Sequence, residues 1–147
     1  MPHFTLPIDP QGPILTAYVG VSHARAIALQ TAQQVVPPPQ PIRALLDTGA
    51  TVTCMDPSVM SALGIPSRGT TLLGSSTSGN APATVNVYDV SIAVPGATPP
   101  PHVLGTIAVA ESPLLTAYGF HALIGRDILA GWTVYYNGPV NMFTVSY

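Results

Sequence analysis

Ala44-Leu45-Leu46-Asp47-Thr48-Gly49-Ala50-Thr51 is the stretch on which the reading of this chain turns. Three apolar residues lead into an acid, a threonine and a glycine, and small side chains follow. The pattern reads as a buried strand that delivers a carboxylate to a sharp, glycine-permitted turn. A carboxylate at the end of an apolar strand is costly to bury unless it is hydrogen-bonded, paired or protonated. Asp-Thr-Gly by itself also suits an ordinary β-turn, so the flanking segments decide between a turn and chemistry.

Downstream, residues 51–55 read as a short strand. Asp56-Pro57 then offers an N-cap and a proline at the first helical position, Val59, Met60 and Leu63 give the helix an apolar face, and Gly64 stops it. Segments 70–73 and 84–88 have strand composition and flank Gly74-Ser75-Ser76-Thr77-Ser78-Gly79-Asn80, so the region about 70–88 predicts a long hairpin with a small, polar tip. Residues 103–110 form an apolar strand, and 111–121 read as a loop. Ala122-Leu123-Ile124-Gly125-Arg126-Asp127-Ile128-Leu129 repeats the apolar run into a glycine without the acid before it, and Asp127 is read as the N-cap of a short helix. Asn137-Gly138 marks a terminal hairpin. Upstream, residues 3–8 and 13–21 are strand-like. Ser22 caps a short alanine-rich helix, and Pro37-Pro38-Pro39-Gln40-Pro41 separates it from the Asp47 strand.

Composition narrows the function classes. The chain of 147 residues has the size of one domain and can bury a substantial core. Only 7% of its residues are charged, against about a quarter in ordinary soluble domains. Lysine is absent, the four arginines are scattered and the net charge is −2, so no basic patch offers itself to nucleic acid. Seventeen prolines and 13 glycines, among many valines and threonines, favour a β-rich chain with many turns. Cys54 is the sole cysteine and reads as a small core residue; an intrachain disulfide is excluded. The apolar stretch 90–110 is broken by Pro95-Gly96 and Pro99-Pro100-Pro101 and cannot be a membrane helix. Met1-Pro2-His3-Phe4 does not open a signal peptide, and a cytoplasmic location is the corresponding expectation. The four histidines lack metal-ligand spacing, so neither a metal nor a cofactor is expected.

The order of these features resembles the retropepsin-like aspartic proteases. The likeness runs from about residue 43 to residue 147, and its specific parts are Leu45 to Thr51 and Ala122 to Leu129. It implies an all-β, closed barrel-like acid-protease fold with one or two short helices. The core would span 42–147, and 1–41 would be an N-terminal extension of strands and a proline-rich loop. Such enzymes need two adjacent carboxylates sharing one proton. This chain has a single Asp-Thr-Gly, so the resemblance implies a two-fold homodimer in which each copy contributes Asp47 and a peptide or protein is the substrate. By the same resemblance Thr48 and Gly49 support the active-site turn and Arg126 supports the loop. Gly74, Ser75, Ser76 and Thr77 belong to a flap that closes over the peptide, and Ala50, Leu73 and Ile124 line its subsites. Retroviral members commonly carry an Asp where this chain has Thr51, which leaves the partner of Arg126 open. A non-catalytic peptide-binding or dimerisation module of the same fold is the alternative reading, and an unrelated β-barrel binding protein is a third.

Overall fold

A computed structural model describes residues 1–74, 81–97 and 99–147. In chain order the elements are β1 (His3–Pro7), β2 (Ile14–Val21), α1 (His23–Thr31), β3 (Gln40–Leu46), β4 (Cys54–Met55), α2 (Pro57–Leu63) and β5 (Gly69–Leu73). They continue with β6 (Ala83–Val94), β7 (His102–Glu111), α3 (Leu114–Tyr118), β8 (Ala122–Ile124), α4 (Arg126–Leu129), β9 (Thr133–Asn137) and β10 (Met142–Ser146).

β2 pairs with both β3 and β6, so β2, β3, β8, β4, β7 and β6 close into a six-strand barrel, with β5 attached to β6 as an outer strand. Closure removes the barrel's free edges; β5 keeps one. β8 lies between β3 and β4, parallel to β3 and antiparallel to β4, although β3 and β4 follow one another in the chain. The seven-residue connection 47–53 must therefore pass over the end of β8. A second sheet, ordered β1-β10-β9, buries Phe4, Phe143 and Val145 against the barrel core of Leu15, Val19, Ile42, Leu46, Met55, Met60, Val90 and Ile124.

The all-β, closed-barrel expectation holds, with two refinements. Four helices are described rather than one or two: those read behind Ser22, after Asp56 and at Asp127 all form, and residues 111–121, read as a loop, contain α3. Residues 1–41 are woven into both sheets: β1 pairs with β10, β2 with β3 and β6, and the 41/42 division falls inside β3. No helix is long and apolar enough to cross a membrane among the described residues.

α2 forms where its caps place it. Asp56 accepts from the Ser58 backbone N–H at 3.0 Å, Pro57 opens the helix, and Gly64 takes the left-handed conformation at φ 60°. The Asp56 carboxylate is buried, and it also accepts from the Ser58 hydroxyl at 2.6 Å and from the Leu115 N–H of α3 at 2.8 Å. One side chain thus ties two helices together. Burial alone would raise its pKa, but these hydrogen bonds to the charged form outweigh burial and hold it below the ordinary value. A carboxylate whose folded pKa is depressed stabilises the fold above its unfolded pKa, and that contribution is lost as pH falls through the folded value. Asp56→Asn should therefore cost about 1–3 kcal/mol at neutral pH, and the difference from wild type should shrink below about pH 3.9. Urea melts at pH 7 and pH 3 measure both; an undiminished difference at pH 3 would contradict this role.

Candidate active site

The ladder between β3 and β8 continues one residue past β3. The Asp47 N–H donates to the Ile124 carbonyl at 3.0 Å, so strand alternation still holds at the acid. Leu45 and Asp47 therefore share one face, while Leu46 turns into the core. After Asp47 the chain closes tightly: its Oδ1 accepts from the Gly49 N–H at 2.8 Å, and its carbonyl accepts from the Ala50 N–H at 3.2 Å. The acid is half-buried, with Thr48 and Gly49 exposed beside it.

Beyond Ala50 the loop crosses β8, and the crossing explains the glycine there. A Cβ placed on Gly125 would stand 2.5 Å from the Val52 carbonyl carbon and 2.9 Å from the Thr53 nitrogen, so two backbones touch where no side chain fits. Buried Thr53 fastens the contact. Its N–H and hydroxyl donate to the two carboxylate oxygens of Asp127 at 2.9 and 2.8 Å, and its hydroxyl accepts from the Gly125 N–H at 3.1 Å. Asp127 is thus a clamp between loops as well as a residue of the first turn of α4, where it accepts from the Ile128 N–H at 2.9 Å. The N-cap position belongs to Gly125.

Arg126 supports the loop from the other side. Its backbone N–H donates to the Ala50 carbonyl at 2.9 Å, one guanidinium nitrogen donates to the Thr51 hydroxyl at 3.0 Å, and the other reaches the Thr48 carbonyl at 3.5 Å. Neutral oxygens therefore receive this guanidinium. Cys54 lies just beyond; burial, then the charges of Asp127 and Asp47, push its thiol up to about 11, which keeps it protonated and unreactive at neutral pH.

The expected subsite residues separate here. Ile124, expected to line a subsite, is fully buried in the main core. The parallel register sets Leu46 beside Ile124 and Leu45 beside Leu123. A one-residue difference reverses the face, and the half-buried Leu45 and Leu123 are the pair on the Asp47 side. They pack with half-buried Leu73 and Val85 around Cys54, Ala110, Leu114 and Phe120. Ala50 is half-buried and Gly74 exposed. Ser75, Ser76 and Thr77 lie outside the described residues. A groove of about 580 Å³ is lined by Val52 of the loop, by Arg68, Gly69, Thr70 and Thr71 at the start of β5, and by Val87 and residues 108–110.

The sequence model of the aspartyl protease family matches residues 38–128, which carry both the Asp47 turn and the Gly125-Arg126-Asp127 crossing. The chain belongs to the aspartyl protease family. Among solved structures, a retropepsin-like aspartic protease from Rickettsia conorii shares the fold of this aspartyl protease chain with a TM-score of 0.58. The two are 14% identical, over 99% of this chain and 90% of that one. No curated protein matches the sequence.

In this aspartyl protease chain the crossing tolerates no side chain, so Gly125→Ala should destabilise the fold by about 3 kcal/mol. Chemical denaturation checks this; a loss under about 1 kcal/mol would show that the loops separate easily.

Proposed function

We propose that the chain is an aspartic endopeptidase that works as a homodimer, with two Asp47 carboxylates activating one water. The observation that carries this reading is the state of the chain's six acids. Asp9 pairs with Arg43 and Asp89 with Arg68, Asp56 caps α2, and Asp127 clamps Thr53. Glu111 accepts from Tyr88 and Asn86 at 2.8 and 2.9 Å. Asp47 alone is held only by its own turn, which engages Oδ1 and leaves Oδ2 without a hydrogen bond among the described residues. A carboxylate held in place at one oxygen and unengaged at the other suits a group that must meet a water and a second carboxylate.

In this reading one Asp47 takes a proton from the water as it attacks the scissile carbonyl, and the other gives a proton to the carbonyl oxygen. Two carboxylates so close cannot both ionise, and their titration belongs to the pair. Thr48 and Gly49 hold the turn, and Arg126 braces it through Thr48 and Thr51. Gly74, Ser75, Ser76 and Thr77 close over an extended peptide, excluding water and supplying backbone hydrogen bonds. Ala50 and Leu73, joined by Leu45 and Leu123, give the cleft apolar walls.

An unstructured protein substrate tests this across acidic to neutral pH. Cleavage should follow a bell-shaped pH profile, specific activity should fall on dilution as dimers dissociate, and Asp47→Asn should lower the rate by about 10²- to 10⁴-fold. An Asp47→Asn protein that cleaves like wild type would sink the proposal. Intact binding of peptides without any cleavage would favour a non-catalytic module.

A further inference from the structure

Arg68 also lines a second pocket, of about 180 Å³, together with Ser22, Arg25, Ile65, Ser67 and Asp89. Its charge is unusual for this chain. With no lysine and four arginines in all, two of the four cations line one small pocket. They face a single carboxylate there, that of Asp89, which pairs with Arg68 at 3.2 Å.

Arg25 is left without a counter-ion. Among the described residues the ion pairs are Arg43–Asp9 and Arg68–Asp89. One terminal nitrogen of Arg25 donates to the Gly64 carbonyl at 3.2 Å, and its Nε is buried with no hydrogen-bond partner. A partly buried guanidinium without a counter-ion is destabilising, and a carboxylate brought to its terminal nitrogens offsets part of that cost. The side chain is also held in place: it stems from the first turn of α1, where the Arg25 N–H donates to the Ser22 hydroxyl at 3.4 Å. Arg68 is 57% exposed and free to share its charge with a second acid. Planar guanidinium groups match carboxylate oxygens in geometry as well as charge.

Arg68 borders both cavities, so a polypeptide lying in the groove between Val52 and Arg68 has this pocket beside it. We infer that the Arg25–Arg68 pocket receives the carboxylate of an acidic residue of that polypeptide, so that the chain selects substrates with Asp or Glu to one side of the cleaved bond. The inference rests on the peptidase reading and narrows its substrate class.

A diverse peptide library, with products sequenced by mass spectrometry, tests it, while the Asp47→Asn protein serves to capture the same peptides without cutting them. Asp and Glu should be enriched roughly 3- to 10-fold at one fixed position from the cleaved bond. Arg25→Gln and Arg68→Gln should each flatten the enrichment, Arg68→Glu should turn it toward Lys and Arg, and Arg25→Lys, which keeps the charge, should retain most of it. Cleavage without acidic enrichment, or enrichment that survives both glutamine variants, overturns the inference and leaves the peptidase reading standing. Acid-dependent capture by Asp47→Asn with no cleavage by wild type overturns the peptidase reading and keeps the pocket. Neither cleavage nor acid-dependent capture overturns both.

Discussion

Where the loop after Asp47 passes over the end of β8, a methyl group on Gly125 would lie 2.5 Å from a backbone carbon of Val52. That approach is imposed by topology. β8 lies between two strands that are consecutive in the chain, and seven residues must bridge it. The crossing can close only at a residue without a side chain. Once closed, it is fixed by three hydrogen bonds among Thr53, Asp127 and Gly125. Asp47 then inherits its position from the core, because its N–H continues the ladder from β3 to β8. The acid thus continues a paired strand rather than standing on a free loop, which suits the precise placement that the proposed role of Asp47 requires.

Charge is used sparingly and locally. In a chain with 7% charged residues, most acids and bases have a structural partner. Thr51 occupies the position where retroviral members commonly carry an aspartate, and its hydroxyl receives the guanidinium of Arg126. In this chain that hydroxyl and the Thr48 carbonyl accept from the guanidinium. Among the described residues no carboxylate forms an ion pair with Arg126.

How much of this was legible in the sequence depended on how local each cause was. α2 could be read from Asp56-Pro57 and Gly64, since its start and stop signals lie within its own turns. The terminal hairpin could be read from Asn137-Gly138 for the same reason. α3 could not: Pro113 offers no side-chain cap, and the carboxylate that meets its first turn belongs to Asp56, 59 residues earlier. Ile124 was expected at a subsite because alternation gives two faces without saying which is inside; the register against Leu46 sets it among core residues. Asp127 looked like a helix cap since its true partner, Thr53, lies 74 residues away. The same distance effect hid the joining of β1 to β10, which makes residues 1–41 part of both sheets.

The central claim is that a working site needs Asp47 from two copies of the chain. Mixing wild type with increasing Asp47→Asn protein under conditions that allow subunits to exchange tests it most directly. If each site needs both carboxylates, peptidase activity falls with the square of the wild-type fraction. Activity that falls in simple proportion to that fraction would contradict the account, because each chain would then carry a complete site of its own.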